Sequence, residues 1–175
     1  MVRLMATVAG GLALMLVVVG IVFLVGMRAK ARPVIDTVRR VNRAFTNPRV
    51  LKSAGTAGAS ASVVHHVGRT TGRRYETPIG AMPTDTGFLI ALPYGTRADW
   101  LGNVLAVGSA TIVDGGNTYE VHAPEVVPTV AVADQLPPGE RRTLRLFKVD
   151  RCLQVRTTAP AEGVVAQRGD GKPPH

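Results

Sequence analysis

The residues best suited to chemistry in this chain lie in one segment, His66-Val-Gly-Arg-Thr-Thr-Gly-Arg-Arg-Tyr-Glu-Thr-Pro78, where glycines and three arginines sit between two apolar runs. Guanidinium groups match phosphate and carboxylate oxygens with forked hydrogen bonds, and the backbone N–H groups of a glycine-rich turn form a concave anion cradle. Arg69, Arg73 and Arg74, together with that backbone, therefore predict a site for the anionic part of a phosphorylated ligand. No Gly-Lys-Ser/Thr closes the turn and a strand is expected after it, which excludes a Walker loop, and the glycine spacing is not that of a Rossmann fingerprint.

A second segment follows, Ala91-Leu-Pro-Tyr-Gly-Thr-Arg-Ala-Asp-Trp-Leu-Gly-Asn103, which reads as a strand end, a glycine-containing loop and the start of a helix. The two segments together resemble the deazaflavin (F420)-dependent nitroreductase and quinone reductase family. Its members carry a Gly-Arg-x-Ser/Thr-Gly-x-x-Arg/Tyr-x-Thr-Pro turn and, further on, a Trp-x-x-Asn element opening a helix. The resemblance covers roughly Phe45 to Arg156.

What the resemblance implies is a split β-barrel of the flavin-binding type that binds coenzyme F420 and passes a hydride from its reduced form to an acceptor. FMN is the alternative ligand, on a barrel serving as an oxidase or as a binding module without turnover. Residue by residue, Arg69, Thr71, Gly72, Arg73 and Arg74 match the turn along the anionic part of the cofactor, and Thr77 and Pro78 match its strand exit. Leu92, Pro93, Tyr94 and Gly95 match the loop bordering ring and phosphate, although the family often has Ser or Asn where this chain has Pro93 and Tyr94. Arg97 stands where a basic residue meets the phosphate, and Trp100 and Asn103 match the Trp-x-x-Asn element. Nothing matches the C-terminal tyrosines with which nitroreductases of the family close the acceptor pocket.

Other chemistry has little to stand on. No carboxylate pair, Ser-His-Asp arrangement or metal-ligand spacing is present. His65 and His66 are adjacent, so in a strand they face opposite sides and do not chelate one ion together. His122 and His175 have no partner at useful spacing. The single Cys, Cys152, forms no internal disulfide and sits in a strand-like run, where a buried packing role is expected. A chain without an acid–base apparatus suits hydride transfer, in which the cofactor carries the reactive atom and the protein positions it.

The elements that must position these residues are mostly β, giving an expected α+β split barrel of five or six antiparallel strands with one inserted helix. Val63–Val67, Thr77–Met82, Phe88–Leu92, Ala110–Val113 and Thr118–Val121 read as strands, the last two flanking an Asp114-Gly-Gly-Asn117 hairpin turn. A helix from about Asp99, with Asp99 or a neighbour as N-cap, carries Trp100, Leu101, Val104, Leu105 and Val107 toward the core and stops at Gly108. Residues 122–128 are expected as another strand, 129–136 as a short helical turn and Arg145–Arg156 as the closing strand. Residues 63–158 form the cofactor domain, and 159–175, rich in Pro, Gly and charge, a disordered tail.

Ahead of the domain, Leu4–Met27 contains no charged residue, and 24 positions as a helix span about 36 Å, enough for a bilayer core of about 30 Å. The run is too long for a signal-peptide core, so residues 1–30 read as an uncleaved transmembrane anchor. Residues 28–52 hold 8 basic residues against Asp36, or +7 of the formal +9, while 53–175 holds 12 basic and 11 acidic. The basic flank therefore belongs on the cytoplasmic side, beside anionic lipid, with the domain there too. Without a basic face on the domain, nucleic-acid binding has no support. A membrane-tethered domain makes a lipid-soluble quinone the sensible acceptor. Within 31–62, Val34, Val38, Val41 and Phe45 form one helical stripe, which lies on the membrane or packs on the domain; Asn47-Pro48 is expected to end this helix and 53–62 to be a flexible link.

Overall fold

The structure, a computed structural model, describes residues 2–158, and the side chains of residues 15–158 apart from Arg43 and Phe45. Seven strands, β1 (Ser62–Val67), β2 (Arg74–Ile79), β3 (Ala81–Thr84), β4 (Gly87–Ala91), β5 (Ser109–Asp114), β6 (Asn117–Pro128) and β7 (Arg151–Thr157), form one sheet in the order β2-β1-β5-β6-β7-β4-β3. Every pairing is antiparallel. β2 and β3 are the two edges, yet only Gly80 separates them in the chain. In a flat sheet these edges would stand about 29 Å apart, six spacings of about 4.8 Å, whereas one intervening residue bridges at most about 7 Å. The sheet therefore curls until its edges meet at Gly80, which is a split-barrel arrangement in an α+β fold.

The curl makes two cores. Inside it, Val64, Phe88, Ile90, Ile112, Leu153 and Val155 pack with Leu101 and Val104 of α4 (Asp99–Val107). On the other face of the sheet, Leu89, Val127 and Cys152 meet Val132 of a 3₁₀ segment (Thr129–Gln135) and Leu144 of α5 (Pro138–Leu146). β4 is thus buried on both faces, which is why Phe88-Leu-Ile-Ala91 is apolar without alternation. The Cys152 thiol is fully buried, 3.5 Å from Thr129 Oγ1. Burial pushes its pKa up and leaves it a packing group.

Several expectations are corrected. Residues 145–150 do not continue the closing strand: Pro138 and Glu140, both in the first turn, start α5 instead, and β7 begins at Arg151. With α5 the fold has more than the one inserted helix, and the described residues form seven strands where five or six are expected. The run Thr77–Met82 is not one strand but breaks at Gly80, where the curled sheet brings its edges β2 and β3 together, and β6 runs through 122–128 as one strand with a bulge between His122 and Glu125. In α4 the N-cap is Ala98, the neighbour of Asp99, with no side-chain cap; Leu101 and Val104 are buried, Trp100 packs partly buried against the same core, and Leu105 and Val107, on the other side of the helix, are 41% and 48% exposed. The helix ends, as read, at Gly108, whose φ of 81° is left-handed and suits a residue without Cβ.

The N-terminal region holds α1 (Val2–Arg28), α2 (Arg32–Val41), a π-helical turn (Asn42–Thr46) and α3 (Asn47–Val50). Asn47-Pro48 does not end the helix. The wider π turn, with Asn47 N–H bonded back to Asn42 O, lets Pro48 enter at the start of α3 without opposing an i−4 carbonyl. The expected link over 53–62 is not loose: 53–61 are hydrogen-bonded turns and Ser62 already opens β1, with Gly55 N–H donating to Ala61 O at 2.7 Å and Gly116 N–H of the β5–β6 turn donating to Gly55 O at 2.6 Å. Among the described residues no helix is long and apolar enough to cross a membrane. The span expected over Leu4–Met27 lies partly outside the described side chains, and the tail expected over 159–175 lies outside the described residues altogether.

Candidate functional site

β1 sends successive side chains to opposite faces, so His66 turns inward while His65 turns outward to Glu76, its cross-strand partner, at 3.5 Å. His66 is stacked on Tyr75, directly opposite it in β2, with ring centroids 5.7 Å apart. Its Nε2 lies 3.1 Å from Thr77 Oγ1 and its Nδ1 lies 3.1 Å from Asn103 Nδ2 on α4. Asn103 Oδ1 accepts from the backbone N–H of Arg69 at 3.1 Å and from its guanidinium at 2.9 Å. Gly102 makes room for that guanidinium, since a Cβ there would stand 2.8 Å from Arg69 Nη1. Burial, and then the neighbouring His65, hold His66 below the ordinary imidazole range.

These bonds line one side of a cavity of about 920 Å³ between the barrel and the α2–π–α3 segment. From the arginine turn, Arg69, Thr71, Thr77 and Pro78 border it; from the second segment, Leu92, Pro93, Tyr94, Gly95, Trp100 and Asn103 do. Gly72, Arg73, Arg74 and Arg97 are not among the bordering residues, and Arg73, Arg74 and Arg97 are exposed. The turn explains why. Gly68 N–H donates to Arg73 O at 2.8 Å, Gly72 N–H to Gly68 O at 2.8 Å and Arg73 N–H to Thr71 Oγ1 at 3.3 Å. Much of the backbone that was read as an anion cradle therefore closes the turn on itself, and Arg69 braces α4 by bonding Asn103 and the Asp99 carbonyl.

The opposite wall comes from residues that were read as membrane flank. Arg39, Asn42 and Thr46, spaced by three and four on one helical face, border the cavity. Arg39 Nη2 donates to Arg97 O at 2.9 Å, and Asn42 Nδ2 donates to Tyr94 OH at 3.0 Å. The sequence held this signal as a polar stripe beside the apolar one. His66, which adjacency to His65 excludes only from a shared metal site, also borders the cavity, and its inward phase with Val64 is its mark in the sequence.

No family model and no curated protein sequence matches the chain. Among solved structures, a protein named F420 reductase is similar at 15% identity and a TM-score of 0.41, over 57% of this chain and 86% of that one. A second structure is similar at 14% identity and a TM-score of 0.40, over 63% of this chain and 78% of its own. The chemistry of the cavity rests on its own geometry.

That geometry suits holding a ligand. A volume of about 920 Å³ falls within the range of pockets that enclose a cofactor-sized molecule. Pro78, Ile79, Leu92 and Trp100 offer apolar wall for a flat ring, and Arg39, Thr77 and Tyr94 offer polar atoms. Among the described residues no group of His, Cys, Asp and Glu is placed to hold a metal ion. Cys152, in the other core, does not border the cavity.

Proposed function

We propose that this chain is a membrane-anchored oxidoreductase that holds deazaflavin coenzyme F420 in the cavity and serves hydride transfer to a lipophilic acceptor such as a quinone or a nitro compound. The observation that carries the reading is the convergence of the two family-like segments. Arg69 of the first and Asn103 of the second, far apart in sequence, are hydrogen-bonded to each other at the rim of one cofactor-sized cavity. When bound, the reduced cofactor supplies two electrons as hydride, and a quinone that accepts them needs one further proton to become a quinol. The chain's own residues bind and orient. The apolar wall of Ile79, Leu92 and Trp100 fits a planar ring, and the Arg39 guanidinium brings positive charge to the wall for an anionic tail.

Anchoring has its own support. Large apolar side chains along α1 are left uncovered, Leu16 61%, Val19 58% and Val22 59% exposed, which in water is unfavourable and in lipid is not. The eight basic residues over 28–52 support a domain on the cytoplasmic side, since basic flanks are retained there. Titration of the detergent-solubilised chain with deazaflavin, followed by quenching of Trp100, tests the cofactor: saturable binding tighter than that of FMN is expected, and tighter FMN binding turns the reading to the flavin alternative. Resistance to carbonate extraction, with a C-terminal reporter active in the cytoplasm, is the expected topology. A reporter active on the far side refutes the placement.

A further inference from the structure

Arg69, Asn103, His66 and Thr77 run in one hydrogen-bonded line along the cavity wall, and the line has a direction. The Arg69 backbone N–H and guanidinium only donate, so the Asn103 atom that meets both is its carbonyl oxygen. The Asn103 amide nitrogen then donates to His66 Nδ1, which places the imidazole proton on Nε2. Nε2–H donates in turn to Thr77 Oγ1, so the hydroxyl hydrogen of Thr77 points away from His66. Thr77 borders the cavity, and its hydroxyl makes no other hydrogen bond among the described residues.

We infer that His66 is a positioning residue that holds the Thr77 hydroxyl as a donor to an acceptor oxygen of the bound ligand, a ring carbonyl or a phosphate oxygen; the identity of that ligand rests on the cofactor reading above. A second proton on His66 would sit on Nδ1 and face the Asn103 NH₂, donor against donor. Asn103 does not relieve this by turning over, because its NH₂ would then meet the two Arg69 donors. Both ring nitrogens of His66 have neutral partners. The charged and titratable groups around it are His65 beside it on β1, Tyr75 and Glu76 on β2, Arg69 in the turn, Asp99 on α4 and Arg39 on the helical wall. Burial and His65 hold it neutral, so the donor geometry persists at neutral pH and is lost in acid.

The experiment uses the full chain in detergent. In the ligand-free protein, ¹⁵N NMR of the imidazoles is expected to show His66 protonated on Nε2 and bare on Nδ1; the opposite tautomer overturns the inference whatever the ligand is. With deazaflavin as probe, wild-type affinity is expected to fall as pH drops through the lowered His66 pKa, by up to about tenfold per pH unit for one linked proton. His66→Gln, whose amide nitrogen takes the place of Nε2, keeps binding at neutral pH and removes that acid loss. Thr77→Val weakens binding by about fivefold to tenfold, and Thr77→Ser restores it. A Thr77→Val protein that binds like wild type, or a His66→Gln protein that keeps the same acid loss, overturns the inference. Repeating Thr77→Val with a deazaflavin lacking phosphate separates the two acceptors: a persisting loss assigns the ring carbonyl, a vanished one the phosphate. If neither deazaflavin nor FMN binds at any pH, the cofactor reading fails, and the tautomer of the ligand-free protein still decides the role of His66.

Discussion

Replacing Asn103 probes the site most sharply, because one buried side chain joins the two segments that make it. It is 6% exposed, accepts two hydrogen bonds from Arg69 and donates one to His66. In Asn103→Ala, the Arg69 guanidinium, on an exposed residue, regains water at little cost. The Arg69 backbone N–H and the buried His66 Nδ1 do not, and each orphaned group costs about 1–3 kcal/mol. With partial relaxation the expected loss is about 2–4 kcal/mol. Trp100, the only tryptophan of the chain, lies one turn from Asn103 and reports urea unfolding by its fluorescence. Asn103→Asp sets the opposite condition. Its carboxylate still accepts from Arg69 but now also accepts from a protonated Nδ1, which raises the His66 pKa. In wild type the folded pKa is lowered, so the His66 contribution is complete above about pH 6.5 and declines as pH falls toward the folded value. In Asn103→Asp the folded pKa lies above the unfolded one, so the added stability is complete below about pH 6.5 and is lost as pH rises through the folded value. The two proteins should show opposite slopes of stability against pH around His66. Equal slopes, or an Ala variant that loses less than about 1 kcal/mol, would refute the directed network.

Leu153, fully buried where β7 crosses the inner core, should lose about 2–5 kcal/mol as Leu153→Ala, whereas Val130→Ala, at a site 84% exposed, should stay within about 0.5 kcal/mol; matched urea titrations compare them. Asn42→Ala removes the bond to Tyr94 that ties the π turn to the second segment, so deazaflavin should dissociate faster while the midpoint of unfolding of the barrel changes little. An unchanged dissociation rate would show that the helical wall does not retain the ligand.

Where local residue types dictate local backbone, the sequence was informative. Asp114-Gly-Gly-Asn117 makes the β5–β6 turn, Gly108 stops α4, and adjacency alone puts His65 and His66 on opposite faces. Residues of the arginine turn and of the Trp-x-x-Asn helix border one cavity, as their pairing in the sequence leads one to expect. Local signals misled where neighbours in space, and not in sequence, decided the outcome. The run from Arg145 to Asp150 reads as strand, but Pro138 and Glu140 start a helix whose Leu144 covers the outer face of β4 and β7. Pro48 signals a stop, yet the π turn carries the helix past it.

The sequence by itself determined most of the strands, the β5–β6 turn, the end of α4 and the residue types available for binding, because each depends on dihedral preference and periodicity within a few positions. Only the tertiary structure decided which of those residues face one another. Curling the sheet until β2 and β3 meet at Gly80, with α4 on the inner core, carries Asn103 to Arg69 and His66. Laying the polar face of α2 and the π turn against the loop after β4 brings Arg39 and Asn42 to the cavity, while closure of the turn on itself leaves Arg73 and Arg74 outside its lining. Those choices follow from burying apolar surface and satisfying buried polar groups across the whole chain, a balance that no local window of residues contains.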